Sequence, residues 1–310
     1  MEILQYITPA QPELFAMLAR RFQDAVVKEG SYILVQGEAP VMLVAHLDTV
    51  HKEPVKTVCF SSDRNILMSP EGIGGDDRCG VYALCSVYEA AEYKPWLLFT
   101  CDEEVGCIGA DDFAGDYFKK LIPFDLSFLK MVIEVDRKGK DDAVYYECDN
   151  REFEDYITSK GFVTAHGSVS DISYVAPALG VAAVNLSSGY YNAHTQHEYV
   201  NLAEIHTTIA KIQEIVDESM SDAVPAFEYV ELCDDFGWGF GYGRGKIDSS
   251  EIDAYSFLNQ YQQYMYEELL ALYCEDELDA YIIEFGPEVI EEIYSTDIDY
   301  LANQDNDAED

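Results

Sequence analysis

With 310 residues, 48% hydrophobic and 25% charged, the chain is long enough to bury one large core and still carry an appendage. A formal net charge of -40 argues against nucleic acid or an anionic membrane surface as a partner, since both would be repelled, and favours an amine-bearing or cationic ligand. No uninterrupted apolar stretch approaches the ~20 residues needed to span a bilayer, and no basic start leads into an apolar segment. A cytoplasmic protein without a secretory leader is therefore expected. The eight cysteines form no C-x-x-C pair, which suits reduced, packed thiols.

Apolar side chains at helical spacing (Phe15, Leu18, Phe22, Val26) predict a first amphipathic helix over Gln11 to Lys28, with Pro12 suited to its first turn. Ser31 to Gln36 reads as a short strand and Val41 to Leu47 as a buried one, followed by a loop and a hairpin through Ile66 to Met68. Gly72-Ile-Gly-Gly75 breaks regular structure, and Asp76-Asp77 opens a helix to about Glu92 that Pro95 terminates. Trp96 to Thr100, Leu129 to Val135, Ala143 to Cys148 and Val181 to Leu186 read as strands. Val105 to Phe113, Arg151 to Lys160, Asp171 to Leu179 and Leu202 to Met220 read as helical. Strands alternating with helices predict an α/β fold, a three-layer sandwich with a mostly parallel central sheet.

Composition shifts past about Ala223. Residues 223–310 hold 23 acidic and two basic side chains, against 36 and 17 before them. A catalytic domain over residues 1–222 is expected, with an acidic, mainly helical extension over 223–310. Helices are predicted at Ile252 to Cys274 and Glu288 to Tyr294, a Gly/aromatic loop at Phe236 to Gly245, and disorder over the last dozen residues.

Five groups, several of them at the end of an apolar run, each offer a side chain that can ligate a metal: His46 with Asp48, Asp76, Glu103-Glu104, Asp136 and His194. Open α/β sheets gather their ligands at the carboxyl ends of the strands. Imidazole and carboxylate together suit Zn2+, with Mn2+ or Co2+ as alternatives. Five such ligands exceed one tetrahedral ion with an open position and fit two metals sharing a bridging carboxylate and a water. Such a pair lowers the water's pKa and polarises a carbonyl, but a base must still take a proton. Adjacent residues at a strand end point to opposite sides, so of Glu103 and Glu104 one can ligate while the other reaches the water. Glu134 shares a strand face with Asp136, so either could be the fourth ligand; the strand-end position favours Asp136. Each group alone has an ordinary explanation: a hydrogen-bonded histidine, a helix cap, solvated surface charge. Their co-occurrence argues for a site.

His46-Leu-Asp-Thr-Val50, Gly74-Gly-Asp-Asp77 and Thr100-Cys-Asp-Glu-Glu104 resemble, in order and spacing, motifs of the co-catalytic dizinc exopeptidases, a superfamily including peptidase T, glutamate carboxypeptidases and zinc aminopeptidases. Gly189 to Val200 resembles the peptidase T form of the last motif, and the similarity covers roughly residues 40–205. The resemblance implies His46 and Asp136 on one metal, Glu104 and His194 on the other, and Asp76 bridging both. It implies Glu103 as general base, Asp48 orienting His46, and a strained, often cis, Asp76–Asp77 peptide. Only 57 residues separate Asp136 from His194, too few for the lid domain that many relatives insert there. This favours a lidless aminopeptidase layout.

The expected activity is hydrolysis of a peptide or N-acyl small-molecule substrate: an exopeptidase, with an N-acyl amidohydrolase or a non-catalytic metal-binding interaction protein as alternatives. A homo-oligomer stays open. His51, His166 and His206 are expected to be surface or structural. His197 is a weaker ligand candidate than His194, Arg78 and Arg137 are expected in ion pairs, and Asp171 is expected to shape the substrate site.

Overall fold

The computed structural model describes residues 3–231 except Ser168, together with positions 265, 266, 269, 278, 282, 289, 290, 293 and 294. The chain divides into two compact units, Met1–Gly239 and Phe240–Asp310.

In the first unit, helices α1 (Leu4–Ile7) and α2 (Gln11–Arg21) precede strands β1 (Val26–Lys28), β2 (Tyr32–Val35) and β3 (Val41–His46). The short strands β4 (Cys59–Phe60) and β5 (Ile66–Met68) lead to α3 (Gly75–Ala90), β6 (Trp96–Thr100), α4 (Ile108–Phe118) and β7 (Met131–Arg137). β8 (Asp142–Val144), α5 (Arg151–Ser159), β9 (Val163–Thr164), α6 (Ile172–Leu179) and β10 (Ala183–Ser187) follow. The hairpin strands β11 (Tyr190–Tyr191) and β12 (Tyr199–Asn201) and the long α7 (Leu202–Ser219) complete it.

Eight strands form the central sheet in the order β1-β2-β6-β3-β7-β10-β8-β9. Its middle, β6-β3-β7-β10, is parallel, and antiparallel pairs lie on either side of it. A separate antiparallel sheet, β11-β12-β5-β4, joins the last motif to the loop after β3. Alternate residues of each central strand face opposite layers. Ile33, Leu43, Phe99 and Ile133 share a core with side chains of α2, α3, α5 and α7, while Leu34, Val44, Leu98 and Val132 pack with side chains of α4 and α6. The sheet is thus covered on both faces, as its nearly continuous apolar strands require.

The first helix differs from its expected length. It ends at Arg21, and Val26–Lys28 pairs instead as a strand with Tyr32–Leu34. The β-branched pair Val26-Val27 gains a sheet edge there, which outweighs the helical spacing of Phe22 and Val26. The expected helix over Val105 to Phe113 runs later, and the strand over Ala143 to Cys148 is only three residues long. No helix among the described residues is long and apolar enough to cross a membrane.

In the second unit, Met265, Tyr266, Leu269, Leu278, Ile282 and Ile290 are helical and buried against one another. They fall partly within the two helices expected there. The Phe236 to Gly245 stretch and the terminal dozen lie outside the described residues.

Candidate metal centre

β3 lies between β6 and β7 and runs parallel to both, in a register that sets His46 opposite Thr100 and Val44 opposite Glu134. The tips of the three strands therefore leave the sheet side by side. β3 delivers His46, the turn after β6 delivers Glu103 and Glu104, and β7 delivers Asp136. The start of α3 brings Asp76 over these tips, and the loop between β11 and β12 brings His194.

The resulting distances define two groups. His46 Nε2 is 3.2 Å from Asp76 Oδ1, 3.6 Å from Asp136 Oδ1 and 3.9 Å from Glu103 Oε2. His194 Nε2 is 3.3 Å from Asp76 Oδ2 and 3.0 Å from Glu104 Oε2. In each of the triplets His46/Asp76/Asp136 and Asp76/Glu104/His194, the ligand atoms lie within 4.8 Å of one another. Asp76 belongs to both, one carboxylate oxygen to each. His46 is fully buried, whereas the His194 side chain is 56% exposed, so the second group is the open side of the site.

The two histidines and the carboxylates around them shift one another. Burial opposes a charged His46, but Asp136, Asp48 and Asp76 overcome it and hold the imidazole well above its ordinary range. Hydrogen bonds donated to the Asp76 and Glu104 carboxylates raise His194 to about 10. Burial and the negative charge of Asp76 push Asp136 well up, and burial with the neighbouring carboxylates raises Glu103 to about 7 despite His46. Burial likewise acts to raise Asp76, yet its bonds to the two histidines hold it well below the carboxylate range. Glu104 Oε1 is buried with no hydrogen-bond partner among the described residues. Two divalent cations fit this donor set: imidazole nitrogens and carboxylate oxygens in two triplets, mutually repelling acids, and an orphaned buried oxygen.

Asp48 does more than face His46 Nδ1, at 3.3 Å. It also accepts the Glu103 and Glu104 N–H groups (3.1 and 3.0 Å), which fixes the turn carrying both glutamates relative to the histidine. That turn corrects one expectation. Glu103 and Glu104 are not strand residues; they follow β6, beyond Asp102 at φ 60°, and both line one cavity. Cys107 Sγ lies 3.7 Å from Glu103 Oε1.

The Asp76–Asp77 peptide is cis. Its two carboxylates separate: Asp76 faces the histidines, while Asp77 is buried and accepts the Gly80 N–H (2.9 Å) in the first turn of α3. Gly75 leaves no room for a side chain, since a Cβ there would come 2.7 Å from Val200 and 2.8 Å from Tyr190.

Glu134 takes no part in either triplet. It is fully buried, and burial with the negative charge of Asp136 raises it well above its ordinary range. His197 is exposed and joins neither group. Asp171 is buried behind the cavity, where Thr100 Oγ1 donates to it, and Ser170 rather than Asp171 lines the cavity. Arg78 is buried but donates to the carbonyls of Tyr6 and Pro9 (2.8 and 2.9 Å) instead of pairing with an acid, because the N-terminal segment packs over it. Arg137 Nε is 3.7 Å from Asp142 Oδ2. His206 bonds Tyr82 OH (3.0 Å), a structural role.

Two supporting residues escaped sequence reasoning. Glu198 is completely buried and accepts the N–H groups of Gly74 (3.0 Å) and Asp76 (2.9 Å), with His51 Nε2 at 2.7 Å. It thereby ties the last motif to the loop that presents Asp76, and nothing in its sequence context distinguishes it from a surface acid. Asn185, on β10, accepts the Asp136 N–H (2.8 Å) and donates to Tyr146 OH (3.0 Å). Its signal was present: a polar residue in the middle of an otherwise apolar buried strand.

No protein-family model matches the sequence, and no curated protein matches it. Solved structures do match in shape. A tripeptidase from Staphylococcus aureus superposes with a TM-score of 0.52 at 13% identity, over 70% of this chain and 96% of that one. Aminopeptidase PepT from Bacillus cereus gives 0.53 at 12% identity, over 71% and 97%. An aminopeptidase from the archaeon Desulfurococcus kamchatkensis gives 0.52 at 13% identity, over 70% and 93%. The chain has the α/β fold of these structures, with its mostly parallel central sheet and helices on both faces.

Proposed function

We propose that this chain is a metal-dependent exopeptidase, an aminopeptidase or small-peptide hydrolase. The observation that carries the reading is Asp76 between two histidines, each with a further carboxylate beside it. His46, Asp76 and Asp136 would hold one divalent cation, and Asp76, Glu104 and His194 a second, with zinc the ion best suited to these donors. Bound there, such a pair supplies Lewis-acid polarisation of a scissile carbonyl and a lowered pKa for the attacking water. Glu103 is the general base: it lines the cavity beside both groups and its backbone is fixed by Asp48. Its carboxylate takes the proton of the attacking water and returns it to the amine nitrogen as the C–N bond breaks. Asp48 orients the His46 ring. The shared fold of a tripeptidase and two aminopeptidases supports this reading.

The test is hydrolysis of aminoacyl and dipeptide substrates by the zinc-loaded protein, beside their N-acetylated counterparts. Glu103→Ala is expected to lose roughly 10²–10⁴-fold in kcat while keeping its metal. Hydrolysis at the full rate in that variant removes the mechanism. A preference for N-acetylated substrates moves the assignment to an amidohydrolase.

A further inference from the structure

A buried thiol stands beside the proposed general base, and the mechanism above gives it no task. Cys107 is 2% exposed and shares a core with Leu98, Ala110 and Phe113. It stands at the head of α4 with φ 53°, directly after Gly106 at φ 112°. Three backbone bonds fold this segment onto the end of β6: Cys107 N–H to Glu103 O (2.9 Å), Ile108 N–H to Asp102 O (3.1 Å) and Gly109 N–H to Cys101 O (2.9 Å). The approach is so close that a Cβ on Gly109 would come 2.5 Å from Ser31 O and 2.6 Å from Cys101 N. Backbone on both sides therefore fixes where the sulfur sits.

Glu103 is gripped at three places as a result. Asp48 takes its N–H (3.1 Å), the Gly106 and Cys107 N–H groups bind its carbonyl (both 2.9 Å), and Cys107 Sγ donates to Oε1 (3.7 Å). The two carboxylate oxygens thus have different surroundings. Oε1 meets the thiol, whereas Oε2 turns toward the first group of proposed ligands, 3.9 Å from His46 Nε2. The last torsion of a glutamate is broad, so an unheld carboxylate would present either oxygen; a donor on one of them removes that freedom. Burial, with the acids around it, pushes the thiol well up, so it keeps the proton that it donates. Asp171, another acid near the sulfur, already accepts from Thr100 Oγ1.

We propose that Cys107 is a positioning residue for peptide hydrolysis: its S–H holds Glu103 Oε1 and leaves Oε2 as the oxygen that takes the proton of the attacking water. This rests on the peptidase reading above and deepens it. No bond to sulfur forms or breaks. The proton passes from the water to Oε2 and from there to the leaving amine, while the thiol keeps its own.

The experiment measures kcat and KM on a dipeptide for the zinc-loaded wild type, Cys107→Ala, Cys107→Ser, Glu103→Ala and the double variant Glu103→Ala/Cys107→Ala. Cys107→Ala is expected to lower kcat about threefold to tenfold, as loss of one hydrogen bond gives. KM and zinc content should stay unchanged. Cys107→Ser, whose hydroxyl also donates, should recover most of the loss, although Ser and Ala are both smaller than Cys. In the Glu103→Ala background Cys107→Ala should cost nothing more, because the group it positions is gone. The contact is also read without turnover, from the infrared S–H stretching band of Cys107, taken in each background as the difference from its Cys107→Ser form. Glu103→Ala should move this band to higher frequency. A wild type that hydrolyses no peptide but whose band moves in this way would sink the peptidase reading and leave the thiol–carboxylate contact standing. A band unmoved by Glu103→Ala, an equal cost of Cys107→Ala with and without Glu103, or a Cys107→Ser variant no better than Cys107→Ala overturns the positioning role alone.

Discussion

Asp136 and Glu134 show how position separates two chemically similar side chains. Both are buried on one face of β7, but only Asp136 comes within 3.6 Å of His46 Nε2. Asp136→Asn is therefore expected to lower zinc stoichiometry toward one per chain, whereas Glu134→Gln, replacing an acid that burial favours neutral, should keep it at two; metal analysis after dialysis decides. Glu198 sits one layer further out. Glu198→Gln keeps its size but no longer accepts the Gly74 and Asp76 N–H groups equally well, so one buried donor loses its partner. The expected cost is about 1–3 kcal/mol in denaturant unfolding, with weaker zinc binding because Asp76 is no longer held. Unchanged zinc affinity in a folded Glu198→Gln protein would count against this role.

At the scale of elements, the site depends on parallel strands ending together. β3 is buried throughout and packs on both neighbours, so Leu43→Ala at its middle should cost about 2–5 kcal/mol through the cavity it leaves. Because β3 also carries His46, zinc affinity should fall with stability, which thermal melts with and without zinc would show. The elements were largely legible from sequence: continuous apolar runs marked β3, β6 and β7, and glycine followed by paired aspartates marked the start of α3. The terminus of α2 was not. Val26 satisfies a helical spacing and a strand equally, and only a neighbouring strand at Tyr32–Val35 makes the second choice better. The small β4-β5-β12-β11 sheet was equally hidden except for its Ile66–Met68 strand, because strands of two or three residues leave too few positions for alternation to register.

For the whole molecule, the end of the first unit matters. Val224 and Phe227 are buried in the core that includes α3 and α7, and Glu228 and Glu231 make bridges to Val181 and Cys148. A chain ending at Gly239 is therefore expected to fold and bind zinc, while one ending at residue 222 should be less stable by several kcal/mol, since it loses a buried aromatic and an aliphatic side chain. Chemical denaturation of the two truncations checks this. Zinc itself should raise the melting temperature of either folded form with increasing concentration, as any ligand of the native state does.

Local chemistry and periodicity alone determined that strands and helices alternate, that the strands are buried on both faces, and which side chains could ligate a metal. Those properties belong to short stretches and survive without knowledge of neighbours. Which carboxylate meets which histidine was not legible in local chemistry and was implied only through the motifs' resemblance; the common cavity of Glu103 and Glu104 and the clasp of Glu198 on the Asp76 loop were decided by tertiary structure alone. These contacts join residues 30 to more than 120 positions apart, as from His46 to Asp76 and from Gly74 to Glu198. Distance along the chain carries no record of them, and only the order and register of the strands bring them together.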